Sequence, residues 1–355
     1  MSAMSNALLS RAVGAARRAR TTAVRVRGRV ERMDTVPVLG NGGRPRPLLR
    51  PEHLSVLGGR TLNLAVPFPR TTRSLAAARL ELRHGGRLVA LPLEQEARPG
   101  GGPLLTATAP LDYADAPAPE GRALSEGLWR MAVVITDGAG RERRAALAAP
   151  APRTTAGPTL AHPPHPATGA VLRPVRSVDG HALLKVAAPR HQAELTGLDL
   201  RWDRITVHGR LVGGPPPRVP YAAEAVRRQK GASGRTVAAA PAWDGGAFTF
   251  DLPLAAMAAG ERGQRTWDVQ LRSGRSRLRV GRRLTDIRSP KRVFRTPYRV
   301  VALDGGELLR VHAHFTPAGA LSVTCAAVAD TARTTPATPA AAAATAGRTG
   351  TDEDA

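Results

Sequence analysis

Residues 266–280 read TWDVQLRSGRSRLRV, and this stretch decides the fold class. Apolar residues alternate with polar ones from Trp267 to Leu271, and the alternation resumes at Leu278 and Val280 after a Ser-Gly turn. Successive side chains of a strand point to opposite faces, so a period of two predicts a half-buried strand. Two such runs joined by a short glycine turn predict an antiparallel hairpin with one face in a core.

A degenerate repeat extends this pattern along the chain. Glycine-containing turns followed by apolar alternation occur at Gly58, Asp179 and Gly305, at spacings of 121 and 126 residues, and Trp129 precedes a run like that after Trp267. The chain has 36 Gly and 31 Pro, which break helices, so a helical bundle is excluded. We predict an all-β fold of tandem antiparallel Ig-like β-sandwiches. The single cysteine excludes the Cys–Trp–Cys pattern of true immunoglobulin domains.

Composition divides the chain into five segments. Residues 1–46 form a basic arm, either helical or disordered, and residues 47–153 form the first β-sandwich unit. A linker rich in Pro, Gly and Thr occupies residues 154–169. Residues 170–327 are expected to hold the second unit and the hairpin of a partial third repeat, which is either truncated or completes the sheet of the second unit. Residues 328–355 are a low-complexity tail that we predict to be disordered.

Positive charge is concentrated in two places. The 355 residues include 52 Lys and Arg against 28 Asp and Glu, a formal net charge of +24. Residues 1–60 carry +9 of this excess and residues 262–300 carry +11. Such asymmetry points to an anionic partner, and a solvated charged surface is the alternative interpretation.

The second concentration lies on and after the hairpin quoted above. When the alternating apolar residues point into the core, the arginines between them share the outward face of one sheet. Guanidinium groups fit phosphate and carboxylate oxygens, and several on one face repel one another unless an anion neutralises them. The matching strand of the first unit presents only Arg130, so we expect this face in one repeat alone. The predicted anion-binding residues are Arg272, Arg275, Arg277, Arg279, Arg282, Arg283, Lys291 and Arg292.

The N-terminal arm is a second candidate for contact with an anion. Each basic residue near an anionic membrane surface contributes about 1 kcal/mol to membrane binding. The alternative interpretation is a disordered basic tail. The sequence contains no helix-turn-helix, zinc-finger or aromatic RNA-binding signature, which disfavours nucleic acid as the partner. The arginines of the arm are Arg17, Arg18, Arg20, Arg25, Arg27 and Arg29.

Signatures of catalysis are missing from the sequence. No GxxxxGK[ST], GxGxxG or GxSxG occurs, and the histidine pairs lack a third ligand, so we predict no catalytic residue, metal or cofactor. An all-β chain can still be an enzyme, and a transferase with its site between the units stays open. Trp243, in PAWDGG, is a candidate for stacking on a sugar, and a core tryptophan near a turn is the alternative.

The expected compartment is the cytoplasm. The sequence has no run of roughly 18 apolar residues and no apolar stretch typical of a secretory signal. The basic arm adds a second option, in which the chain lies against the inner face of the plasma membrane.

A family resemblance covers residues 170–326 and, more weakly, residues 47–150. It is carried by Trp267-Asp268, Arg279-Val280, the run RLTDI from residue 283, KRV from residue 291 and LSV from residue 321. In these features the chain resembles β-sandwich modules of actinomycete cell-envelope proteins. Those modules sit beside or are fused to family 2 glycosyltransferases and CDP-glycerol glycerophosphotransferase-like teichoic acid enzymes.

The resemblance implies an accessory module that has no catalytic residues of its own. Such a module would bind an anionic cell-wall polymer or a partner transferase of the cell envelope. The alternative is that the chain is itself a transferase that acts on cell-wall glycans.

Overall fold

The computed structural model describes most of the chain between residues 35 and 328. Within the described residues the protein is mostly β, with 61% strand and 4% helix, which confirms the all-β prediction. The arginines of the predicted arm and nearly all of the predicted tail lie outside the described residues. The described residues are 35–38, 48–68, 75–99, 102–114, 123–150, 157–213, 220–229, 234–259 and 263–328.

The first group of strands encloses one apolar core. Strands β3, β4, β8 and β7 form one sheet, and a second sheet is built on β11 with β5 and β6 beside it. Leu62 and Leu64 of the first sheet and Leu80 and Trp129 of the second are buried in the same core, so the group is a β-sandwich. The strands are β1 (Thr35–Val36), β2 (Leu48–Leu49), β3 (His53–Leu57), β4 (Thr61–Pro67), β5 (Leu75–His84), β6 (Arg87–Pro92), β7 (Glu94–Glu96), β8 (Leu104–Pro110), β9 (Asp112–Tyr113), β10 (Ala123–Leu124), β11 (Gly127–Asp137), β12 (Glu142–Leu147), β13 (Val171–Ser177) and β14 (Ala182–Ala187).

The second group encloses another core between two layers of one 11-stranded sheet, which the parallel pairing of β15 with β22 makes continuous. Strands β15, β16, β20 and β19 pair in one layer, and β17, β21 and β25 pair in the other. Val207 and Phe250 from the first layer pack in one cluster with Trp267 and Val323 from the second. The elements are β15 (Gln192–Leu200), β16 (Arg204–Val212), β17 (Ala222–Arg227), β18 (Thr236–Ala239), β19 (Ala242–Asp244), β20 (Ala247–Pro253), α1 (Leu254–Ala258), β21 (Arg265–Ser273), β22 (Ser276–Gly281), α2 (Pro290–Val293), β23 (Arg299–Ala302), β24 (Leu308–Phe315) and β25 (Leu321–Ala327).

The two groups repeat one arrangement of strands. In the first, β11 pairs with β5 on one side and with β14 and then β12 on the other. In the second, β21 pairs with β17 on one side and with β25 and then β22 on the other. Trp129 and Trp267 lie fully buried on these two central strands, 138 residues apart. The predicted equivalence of the two tryptophans is confirmed by this pairing.

The glycine turns are not equivalent, in contrast to the repeat predicted from them. The turn at Gly58 joins β3 and β4, whereas the turn at Asp179 joins β13 and β14 of the other sheet. The counterpart of that second hairpin is β24–β25, whose turn holds Gly319 and not Gly305. The spacings of 121 and 126 residues therefore align different hairpins, because short turns followed by alternating apolar residues look alike in sequence.

Residues 171–187 are hydrogen-bonded into the first group, although the second unit is predicted to begin at residue 170. β14 pairs with β11, and Leu172 and Leu184 are buried in the first core. The terminal hairpin β24–β25 likewise completes the sheet of β21, which is one of the two alternatives left open by the sequence.

The described part of the predicted linker makes specific contacts with the sandwiches. The ring of His165 is largely buried, and its Nδ1 accepts hydrogen bonds from the backbone N–H groups of Ala167 and Thr168. Arg210 of β16 donates a hydrogen bond to the Ala167 carbonyl at 3.0 Å, and Thr159 forms a bridge with Ile287. Residues 157–169 are thus held by the Arg210 side chain and by backbone hydrogen bonds with residues 286–288.

Candidate anion-binding site

Strands β21 and β22 carry the predicted arginines on one outer sheet face. Arg272 lies directly opposite Arg277, and Arg279 lies opposite Gln270. Side chains at directly opposed positions project from the same face, about 5 Å apart at Cβ. The apolar residues that alternate with them on β21 are buried, and Arg272, Arg277, Arg279 and the turn residue Arg275 are exposed. We call these four residues the arginine face.

A buried glutamate holds one member of the arginine face. Glu224 lies on β17, which pairs with β21, and is directly opposite Gln270. Its carboxylate forms an ion pair with Arg272, at 2.7 Å from Nε, and accepts a hydrogen bond from Gln270 Nε2 at 3.1 Å. The guanidinium of Arg272 is therefore oriented by a fixed internal charge, and part of its positive charge is neutralised.

A second carboxylate holds Arg279. Asp268 lies 3.5 Å from Arg279 Nη2 and accepts hydrogen bonds from Arg228 and, at 2.9 Å, from Ser322 Oγ. Burial opposes ionisation of this side chain, but the hydrogen bonds from Arg228 and Ser322 and the nearby guanidinium charges lower the pKa of Asp268. Asp268 is therefore ionised at neutral pH.

Arg275 and Arg277 differ from the other two members of the face. Neither makes an ion pair with any residue in the described part of the chain, and both are exposed. The repulsion expected from the sequence is relieved at Arg272 and Arg279 by carboxylates of the same sheet. It persists at Arg275 and Arg277, which can accept an external anion without losing an internal partner.

Of the four predicted anion-binding residues that follow β22, two do not extend the arginine face. Arg282 packs over the ring of Phe294, with 4.8 Å from the guanidinium carbon to the ring centroid. Arg283 is half-buried, and its backbone N–H donates to the Glu194 carboxylate at 2.9 Å. Burial lowers the pKa of the Arg283 guanidinium. The other two, Lys291 and Arg292, are exposed, and their part in anion binding stays a prediction.

Trp243 packs at the edge of the second core. It is 39% exposed, and its ring meets Phe248 edge-on at 5.6 Å and Tyr221 at 6.0 Å between centroids. Trp243 thus contacts rings of the core while staying exposed itself, and its stacking on a sugar stays a prediction. Trp202, which the sequence analysis overlooked, is 59% exposed in the turn between β15 and β16. Its flanking charged residues in RWDR are the signal that it could not be a strand-core tryptophan.

The first sandwich also carries arginines on its outer face, contrary to the prediction that one repeat alone does. Arg83 of β5 lies directly opposite Arg130 of β11, and Arg144 projects from β12 beside them. Together they line a surface pocket of about 620 Å³. The prediction failed because it considered β11 alone, whereas two of the three arginines come from the strands on either side.

No helix in the described residues is long and apolar enough to span a bilayer. No group of three His, Cys, Asp or Glu side chains in these ranges is arranged to hold a metal ion.

Comparison with known proteins gives structural neighbours, including two structures of S. aureus TarS, and no sequence relative. No family model matches the chain, and no curated protein matches it. The crystal structure of S. aureus TarS 217–571 is similar over 67% of this chain and 65% of its own, with a TM-score of 0.31 and 12% identity. The crystal structure of S. aureus TarS gives a TM-score of 0.30 and 12% identity, over 67% of this chain and 41% of its own. The match thus spans less than two thirds of either neighbour.

Proposed function

We propose that this protein is a non-catalytic binding module of two tandem Ig-like β-sandwiches that holds an anionic cell-wall polymer through its arginine face. The observation that carries the proposal is that two arginines of that face have a carboxylate partner and two do not. Arg272 and Arg279 are fixed by Glu224 and Asp268, while Arg275 and Arg277 stand exposed without a carboxylate partner in the described residues.

The geometry favours an extended ligand over a single ion. Alternate residues of a strand lie about 7 Å apart on one face, so Arg277 and Arg279 form a short row along β22. Arg272 lies beside this row on β21. A chain of repeating phosphates can contact such rows at several points at once. The exposed Lys291 and Arg292 add positive charge beyond the end of the strand.

The class of polymer is inferred from the sequence resemblance to modules beside teichoic acid enzymes. The neighbour TarS has too low a structural similarity to add to this inference. In the proposal, the chain acts in the cytoplasm, free or against the inner face of the plasma membrane, with a cell-envelope transferase as the alternative partner of the same face.

The test is binding of the purified chain to a teichoic-acid-type polymer and to a neutral glycan across a salt series. The variant Arg275→Ser/Arg277→Ser removes the two unpaired charges and leaves both ion pairs of the face intact. The control is Arg143→Ser/Arg176→Ser, which makes the same change of charge at exposed arginines of the first sandwich.

We expect the parent chain to bind the anionic polymer and not the neutral glycan. This binding should weaken as the salt concentration rises, because salt screens exposed charges. The face variant should bind about tenfold more weakly at low salt, since charge-assisted hydrogen bonds contribute about 1.5 kcal/mol or more. The control should stay within about twofold. Equal losses in both variants, or equal binding of the neutral glycan, would overturn the proposal.

A further inference from the structure

The two sandwiches share a gap in the sheet beside their central strand. β11 pairs with β14 as far as Arg130 and with β12 from Ala132 onward. β21 pairs with β25 as far as Asp268 and with β22 from Gln270 onward. Arg130 and Asp268 therefore occupy the same place in the repeat, at the point where the neighbouring strand changes.

In the second sandwich, side chains of the chain itself close this gap. Asp268 accepts hydrogen bonds from Arg228 and Ser322. It also forms an ion pair with Arg279, which lies on β22 just beyond the gap. Arg279 and Gln270 are directly opposed across β21 and β22, one position beyond the gap. A carboxylate thus stands at the centre of the gap, with guanidinium groups around it.

In the first sandwich, the equivalent positions hold a basic residue in place of the acidic one and small residues in place of the two long ones. Arg130 replaces Asp268, and the opposed pair Ala132 and Ala146 replaces Gln270 and Arg279. Two methyl groups where the other sandwich has two long side chains leave the pocket of about 620 Å³. The pocket is therefore a consequence of the sequence at these positions and is not a general feature of the fold.

The charges around the pocket are not balanced by the described residues. Arg83 and Arg144 both pair with Glu81, which is only 2% exposed. Glu81 also contacts Arg79, which has a second carboxylate partner in Glu142, so Glu81 remains the shared partner of Arg83 and Arg144. Arg130 is exposed and makes no ion pair within the described ranges.

Arg130 and Arg83 are also directly opposed across two strands. Like charges in this position destabilise a sheet. An anion between the two guanidinium groups would remove that repulsion and would stand where the carboxylate of Asp268 stands in the other sandwich.

We infer that this pocket is a second anion site, which binds a small phosphate-bearing ligand with its phosphate beside Arg130 and Arg83. Arginine presents a planar fork of donors that matches phosphate oxygens. A volume of about 620 Å³ exceeds a single phosphate and suits a phosphorylated sugar or polyol. The alanine floor and the aliphatic Leu128 and Leu88 in the wall would contact the carbon part of such a ligand.

The experiment is calorimetric titration of the full chain with glycerol 1-phosphate at low salt, with glycerol as the uncharged comparison. Arg130→Asp places a carboxylate where the second sandwich has one, on an exposed side chain whose replacement spares the core. Ala146→Arg fills the pocket with the residue that the second sandwich has there. Thermal unfolding followed by tryptophan fluorescence reports whether each variant is folded.

We expect saturable binding of one glycerol 1-phosphate and none of glycerol. Both pocket variants should bind at least about tenfold more weakly, because charged hydrogen bonds or the space for the ligand are lost. Arg275→Ser/Arg277→Ser should leave this titration unchanged, so the site can fail or stand independently of the proposed polymer face. Absence of saturable binding to the parent chain, or unaltered affinity in folded Arg130→Asp, would refute the inference.

Discussion

Replacing Asp268 by Asn tests whether this carboxylate neutralises the arginine face. The substitution keeps the shape of the side chain and removes its charge. Asp268 is 15% exposed, whereas its partners Arg228 and Arg279 are 50% and 53% exposed. A hydrogen bond to a charged group contributes about 1.5–3 kcal/mol, but exposed partners are screened by solvent. We therefore expect the free energy of unfolding in urea at neutral pH to fall by about 1–2 kcal/mol.

The loss should depend on pH in a defined direction. Because the pKa of Asp268 is lower in the folded chain than its ordinary value of 3.8, its stabilising contribution is present above that value. The contribution disappears as the pH falls through the folded pKa. The difference in stability between parent and variant should thus be constant from pH 7 to about pH 5 and shrink below about pH 4.

The same variant should bind the anionic polymer more tightly, because Arg228 and Arg279 lose their shared counter-charge. Unfolding curves at several pH values and one salt series are the required measurements. An equal deficit in stability at the lowest pH at which both chains remain folded would refute the role of the charge. Unchanged or weaker binding would refute the claim that Asp268 neutralises the face.

Two further predictions concern the second core. Burial raises the pKa of the Cys325 thiol to about 12, so a thiol reagent at pH 8 should react with it only after unfolding by urea, and rapid reaction of the native chain would contradict its placement. Gly209→Ala would place a Cβ 2.2 Å from a ring carbon of Phe248, and we expect a loss of about 1–3 kcal/mol in the free energy of unfolding. Gly246→Ala, where the nearest atom is 3.9 Å away, is the matched control and should be close to neutral by the same unfolding assay.

Strand identity was predictable from the sequence because it is a local property. The alternation after Trp267 places each side chain on a known face, and the Ser-Gly turn fixes the partner strand. For that reason Arg272 and Arg277 could be assigned to one face before the structure was known, and the pairing of β21 with β22 confirms it.

The partners of those arginines were not predictable in the same way. Glu224 lies on β17, and nothing local to either segment indicates that β17 pairs with β21. Its effect is to neutralise Arg272, which the sequence analysis treated as a free charge. Arg83 and Arg144 were missed for the same reason, since they meet Arg130 only through the pairing of three strands.

The register of the repeat explains why both sandwiches carry arginines outside. Glu81 lies opposite Ala132 and Glu224 lies opposite Gln270, so the two buried glutamates occupy one repeat position. Each forms an ion pair with an arginine of the same outer face, Arg83 in one sandwich and Arg272 in the other. A buried carboxylate on this strand therefore anchors guanidinium groups on the outer face of both units.

What differs between the sandwiches is the next position along the gap, where one has Arg130 and the other has Asp268. With an aspartate there, its carboxylate neutralises the neighbouring guanidinium groups. Excess positive charge then remains toward the turn, at Arg275 and Arg277. With an arginine and two alanines there, the excess lies in the pocket itself. A single shared scaffold thus presents positive charge in two forms, an open face, for which we propose a polymer, and a pocket, for which we propose a small phosphate ester. Arg130→Asp and Asp268→Asn should accordingly shift anion binding in opposite directions.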